Sequence, residues 1–193
     1  MQKRVFIIHG WGGFPEEGWF PWLRRELVSR GFLVSVPPMP DSNHPNKEQW
    51  IAFLAEQVGH CDSDTYFVGH SLGCQTILRY LQGQLPPMKV GGAVFVAGFE
   101  TLTSRLDQVE DAHVVLDPWL NEDIHWEMIR SRSRNFVAIF SDNDRWVPLS
   151  NVKVFDEKLE AKTIVLHDKK HFSGDDNVTE LPEVLDAILE MTT

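Results

Sequence analysis

The chain is poor in cysteine. Cys61 and Cys74 are the only two in 193 residues, too few for a disulfide framework, and a reduced, cytosolic setting fits that count. Positive charge is scarce as well. Eighteen Lys and Arg stand against 28 Asp and Glu, a net charge of −10, so little here would neutralise phosphates and a nucleic-acid partner is not expected. Long hydrophobic runs are missing too. Val5-Phe6-Ile7-Ile8 near the N-terminus is too short for a signal-peptide core or a membrane span. Without such a signal, the sequon Asn177-Val178-Thr179 reads as accidental. No repeat, linker or low-complexity segment interrupts the chain. With 42% hydrophobic and 24% charged residues, the composition is ordinary for a globular protein. Residues 1–193 are expected to form one domain with its own core.

What is present is a series of short apolar runs. Val5–Ile8, Phe32–Val36, Tyr66–Val68, Gly92–Ala97, Phe136–Phe140 and Thr163–Leu166 read as strands, several of them unbroken enough to be covered on both faces of a parallel sheet. Helical patterns lie between them, from about Glu17 to Arg30, Lys47 to Val58, Ser71 to Gln82, after Pro148 to Leu159, and Leu181 to Met191. Residues 99–134 are acidic and irregular, with a short helix expected around Asn121 to Arg130. This alternation predicts an α/β fold: a mostly parallel six-stranded sheet, helices on both faces, right-handed crossovers and a minimal lid. Function in such sheets sits beyond the carboxyl ends of the strands.

The third strand ends in Gly69-His70-Ser71-Leu72-Gly73, a Gly-x-Ser-x-Gly turn running into a helix. Glycines at 69 and 73 relieve crowding in so sharp a turn and present Ser71 Oγ at the positive end of the helix. A serine hydroxyl needs a base, and the base an orienting carboxylate. Asp142 and Asp144 follow the fifth strand, and His167 and His171 follow the sixth. Nucleophile, acid and histidine therefore occur in the order of an α/β-hydrolase. His171 lies deeper in its loop and can reach back over the sheet, which favours it over His167. Either aspartate is near enough. The oxyanion donors would be the N–H groups of Leu72 and, in the glycine-rich loop after the first strand, Trp11.

With His9-Gly10-Trp11-Gly12-Gly13, Gly69-His70-Ser71-Leu72-Gly73, Asp144-x-x-Val147-Pro148 and His171-Phe172 in view, the chain resembles the small serine hydrolases grouped with retinoblastoma-binding protein nine and YdeN, over nearly its whole length. The resemblance implies a compact α/β-hydrolase with almost no lid and a triad of Ser71, Asp144 and His171, the Val147-Pro148 register selecting Asp144 over Asp142. One departure is Lys170, where a glycine is common before the histidine; in a left-handed conformation it would cost about 1–2 kcal/mol, so the loop is expected to differ locally. A Leu-x-Cys-x-Glu ligand for a retinoblastoma-type partner is absent, and no protein partner is indicated.

The remaining readings are structural. His9 and His70 are expected to bond backbone near the elbow. His44, His60, His113 and His125 lack metal-ligand spacing, and Asp142-Asn143-Asp144 lacks the glycine and glutamate of a calcium loop; no metal or cofactor is called for. Trp11 and Trp146 sit in loops that carry expected catalytic groups and are candidate walls of an acyl pocket. The expected function is hydrolysis of a small ester, thioester or amide through an acyl-enzyme. The rival is a hydrolase-fold scaffold without activity. A dehalogenase would need an acidic nucleophile at position 71.

Overall fold

The computed structural model describes residues 2–193. Six strands, β1 (Arg4–Ile8), β2 (Leu33–Ser35), β3 (Thr65–His70), β4 (Gly92–Val96), β5 (Phe136–Ser141) and β6 (Lys162–Leu166), form one sheet. Their order is β2-β1-β3-β4-β5-β6, and every adjacent pair is parallel. The central strands β3, β4 and β5 are buried at every residue, which explains their unbroken apolar sequences. The edges differ: Leu33 on β2 and Val165 on β6 are half exposed.

The direction of strand addition fixes the layers. From β1 the chain steps outward to β2 through α1 (Phe20–Ser29), then back past β1 to β3 through α2 (Lys47–Val58). Right-handed crossovers then place α1 on one face and α2 on the other. Helices α2 and α3 (Leu72–Gly83) pack together, and α1 meets the closing helix α7 (Pro182–Met191). The reversal of strand order falls between β1 and β3, where an open α/β sheet forms its crevice. The loop after β1 and the turn after β3 both project there.

Two expectations need correction. Helix α1 begins at Phe20, not Glu17, because Gly18 takes φ +51° and Pro21 occupies the first helical turn, the position where its missing N–H does no harm. Residues 99–134 are more ordered than their composition suggests. They hold a 3₁₀ turn (Ser104–Gln108), helix α4 (Ala112–Leu120) and helix α5 (Trp126–Arg130), while 121–125 are not helical. Helix α4 buries Ala112, Val115, Leu116 and Trp119, spaced as one helical face.

The part of this cap-like stretch that runs as far as Asp123 is pinned at both ends. Asn151 Oδ1 accepts the N–H groups of Glu100 (2.7 Å) and Thr101 (3.1 Å). At the other end buried Arg79 donates to the carbonyls of Trp119 (2.6 Å), Glu122 (2.7 Å) and Asp123 (2.8 Å). The last helix of the β5–β6 connection, α6 (Ser150–Leu159), completes the set. Among the described residues no helix is long and apolar enough to cross a membrane.

Candidate active site

Ser71 stands at the tip of the turn between β3 and α3, with φ +51° and ψ −118°. Its own N–H donates to the Val96 carbonyl at 2.9 Å, which holds the strained residue against β4. The flanking glycines are there for space. A Cβ on Gly69 would lie 2.8 Å from the Cys74 backbone, and one on Gly73 only 2.1 Å from the Ile8 carbonyl oxygen. Any side chain at position 73 would force β1 and α3 apart. Cys74 is wholly buried, its Sγ–H donates to the Val96 carbonyl, and burial pushes the thiol pKa up, so it behaves as a small core residue.

His171 Nε2 lies 2.9 Å from Ser71 Oγ, and His171 Nδ1 lies 2.8 Å from Asp144 Oδ2. The other carboxylate oxygen of Asp144 accepts the N–H groups of Trp146 (2.8 Å) and Val147 (3.1 Å). Those bonds satisfy a charge that would otherwise be expensive to bury. The Asp144 Oδ2 that faces Nδ1 fixes the tautomer, because a carboxylate acceptor there requires the proton on Nδ1 and leaves Nε2 a lone pair facing the serine. The arrangement can take a proton from Ser71 Oγ as that oxygen forms a new bond, and Asp144 can hold the resulting imidazolium.

Asp142 and His167 form a separate pair, Nδ1 to Oδ2 at 2.6 Å, on the outer side of the same loops. The loop carrying His171 adopts the left-handed geometry that its sequence disfavours: Lys170 has φ +48°. The expectation of a local departure there is thus replaced by a strained loop held in place.

His70 and His9 bond backbone. Buried His70 donates from Nε2 to the His171 carbonyl at 2.8 Å, and its ring packs 5.1 Å from that of His171. Burial, then the nearby His171, lowers its pKa to about 3, so it stays neutral beside the His171 ring. His9 donates from Nδ1 to the Gly10 carbonyl (2.9 Å) and accepts the Met39 N–H at Nε2 (3.0 Å). Burial lowers its pKa as well. Through that second bond His9 anchors the strand end from which the glycine-rich loop departs.

That loop crosses the nucleophile. A Cβ on Gly10 would come within 3.1 Å of Ser71 Cβ, which places Trp11 beside the serine. Leu72 opens α3, so its N–H has no carbonyl within the helix to bond. Trp11 and Trp146 both line an apolar cavity of 240 Å³ that opens onto Ser71 and His171. Its far walls are Leu102, Leu106, Val109 and Leu116, from the cap segment that composition alone had marked as irregular. Of these, only Leu116 had a sequence signal, the helical spacing 112, 115, 116, 119 that Pro118 interrupts; Leu102, Leu106 and Val109 lie before that helix and had none. A wider cleft of 550 Å³ meets Ser71 from the other side, bordered by Phe14, Glu17 and Arg145. Glu17 is half-buried there and its pKa is raised, chiefly by desolvation.

A parallel sheet in this order, with a serine on the strand-to-helix turn after β3, is that of an α/β-hydrolase. The sequence profile of the serine hydrolase family matches residues 5–190. YdeN of Bacillus subtilis (strain 168) is 30% identical over 188 residues, covering 97% of this chain and 95% of that protein. The crystal structure of the ydeN gene product superposes with a TM-score of 0.90 at 29% identity, covering 99% of each chain. Serine hydrolase RBBP9 of Rattus norvegicus is 27% identical over 195 residues, 98% of this chain and 96% of its own. The chain belongs to the serine hydrolase family.

Proposed function

We propose that the protein hydrolyses a small carboxylic ester, thioester or amide through an acyl-enzyme on Ser71, with His171 as general base and acid and Asp144 as its orienting carboxylate. The observation that carries this reading is the hydrogen-bonded chain from Ser71 Oγ (2.9 Å) through His171 to Asp144 (2.8 Å) at the mouth of an apolar cavity. Ser71 Oγ attacks the substrate carbonyl carbon and passes its proton to His171 Nε2. The N–H groups of Trp11 and Leu72 receive the developing oxyanion. His171 then protonates the leaving group as the carbonyl re-forms. Water, deprotonated by the same nitrogen, releases the acid and restores Ser71.

The acyl group occupies the 240 Å³ cavity, and the leaving group departs through the wider cleft. The substrate is a small molecule, since the net charge of −10 is unsuited to a polyanion. Walls supplied by Trp11, Trp146, Leu106 and Leu116 favour short or aromatic acyl groups, because an apolar pocket of limited volume gains from each added carbon only until it is full. The test is kcat/KM over p-nitrophenyl esters of increasing chain length. It is expected to peak among short or aromatic acyl groups. A steady rise to long fatty-acyl esters contradicts the pocket assignment.

A further inference from the structure

The segment that delivers His171 is strained at alternate residues. Asp168, Lys170 and Phe172 have φ of +54°, +48° and +60°, and none is glycine, the residue that adopts this region without penalty. A backbone of this kind persists only where its surroundings over-determine it. Here every amide from 168 to 173 is taken. The N–H groups of Asp168, Lys169 and Lys170 donate to Asp142 Oδ1 (3.0 Å), Ser141 Oγ (3.0 Å) and Asn143 Oδ1 (2.8 Å). Those of His171 and Ser173 go to Asp176 Oδ2 (3.0 and 3.3 Å), and that of Phe172 to the Lys169 carbonyl (3.0 Å).

The first three bonds form a pattern. Backbone pairing of β5 with β6 ends at Ser141 and Leu166. Beyond it, the three adjacent side chains Ser141, Asp142 and Asn143 accept the three adjacent amides of Lys169, Asp168 and Lys170, so side chains tie the two loops together where the backbones diverge. Asn143 is the hub. Its Oδ1 also accepts the hydroxyl of buried Ser141 (2.9 Å), and its Nδ2 donates to Asp168 Oδ1 (2.6 Å). One carboxamide therefore ties both ends of the 168–170 turn.

We propose that Asn143 is a positioning residue for His171: it holds Lys170 in the left-handed turn that brings the imidazole over Ser71. The proposal rests on His171 acting as the base. Without Asn143, the Lys170 amide loses its acceptor, and the unfavourable left-handed lysine is held only through its neighbours' bonds to Ser141 and Asp176. The turn then relaxes towards extended backbone, and the ring is carried away from the serine. A glycine at 170 has no such preference, so it does not need the strap. Asn143 thus offsets the absence of glycine before the histidine.

The test uses Asn143→Ala, Lys170→Gly and the double variant. Three quantities are measured: kcat and KM on a p-nitrophenyl ester, the rate of inactivation by a fluorophosphonate, and hydrogen exchange of amides 168–171. Asn143→Ala is expected to lower kcat and the inactivation rate about 10- to 100-fold, the scale of a roughly 1 Å misplacement, with KM little changed and exchange faster. Lys170→Gly alone is expected to stay within about twofold of wild type, and the double variant to recover most of the loss. Equal losses in the single and double variants overturn the proposal. So does an Asn143→Ala protein that melts earlier but keeps kcat and exchange unchanged below its melt. If the wild type neither turns over nor labels, the reading of His171 as base fails separately, and the exchange rates still decide whether Asn143 holds the turn.

Discussion

Two aspartate–histidine pairs stand side by side at the ends of β5 and β6. Asp142 meets His167 at 2.6 Å and Asp144 meets His171 at 2.8 Å, each through Nδ1. By distance and tautomer they are near duplicates. They differ in surroundings: the side chains of His167 and Asp142 are 90% and 37% exposed, those of His171 and Asp144 only 15% and 2%. In the outer pair water screens the charges, and the bond competes with hydration. In the inner pair the carboxylate is dry and its remaining oxygen is fixed by two amides. Only the inner histidine reaches Ser71. The two pairs therefore share a hydrogen bond and differ in burial and in a third partner, and the proposed catalysis rests on those two differences.

The largest expected effect separates the two aspartates. Asp144→Asn is expected to lower kcat about 10⁴-fold, the size of the same change in a serine-protease triad, because the amide selects the wrong imidazole tautomer. Asp142→Asn keeps an oxygen for the Asp168 amide and is expected to lower kcat less than about tenfold, as for a screened surface pair. Steady-state kinetics of both variants decide it, and an exchange of the two losses would move the acid to Asp142.

A smaller effect lies in acid stability, and only the inner pair has a neighbour that produces it. His70 has a folded pKa of about 3 against an ordinary value of 6.5. Below pH 6.5 the unfolded chain takes up a proton that the folded chain refuses, so stability falls as pH falls towards 3. At about 1.36 kcal/mol per unit, this amounts to roughly 2 kcal/mol between pH 6.5 and 5. His70→Asn keeps a donor for the His171 carbonyl and removes the titration. Urea unfolding at pH 7 and pH 5 is expected to show a steeper loss for wild type than for the variant. Equal losses would contradict a buried, neutral His70.

The smallest effect belongs to the outer pair. The His167 pKa is raised by its hydrogen bond to Asp142, and that of Asp142 is lowered, first by the Asp168 amide and then by His167. The stabilisation from His167 is full below the ordinary histidine pKa and is lost as pH rises through the raised one. An NMR titration of His167 should give a midpoint above 6.5 that falls back towards the ordinary value in Asp142→Asn. An unshifted wild-type midpoint would show the pair open in solution.

Much of this architecture was legible in the sequence because β3, β4 and β5 are buried on both faces and so are written as unbroken apolar runs. The elbow was legible for a steric reason, with Gly69 and Gly73 at the two contacts where a Cβ does not fit. Choosing between Asp142 and Asp144 was harder, since both follow β5 within one turn. What distinguishes them is which carboxylate the N–H groups of Trp146 and Val147 bind, a matter of loop geometry. The bonds that Asn143 makes were hidden for the same reason, since in the sequence it stood out only as part of the Asp142-Asn143-Asp144 run. Helix α4 was missed because Pro118 and the acids before it outweigh a correct helical spacing. Burial of its apolar face, with Trp119 packed on Trp50 of α2, decides in favour of the helix, and with it comes the pocket wall Leu116.

The most direct measurement is covalent labelling of the folded protein by a fluorophosphonate, mapped by mass spectrometry. A serine hydroxyl reacts at neutral pH only where a base and oxyanion donors converge on one oxygen. The adduct is expected on Ser71 alone among the eleven serines. It should vanish in Ser71→Ala and His171→Ala, with the melting temperature largely kept, and persist in His167→Ala. Labelling that survives His171→Ala but disappears in His167→Ala would reverse the roles of the inner and outer pairs. A folded wild-type protein that does not label at all would mean that the chain uses this fold without the chemistry.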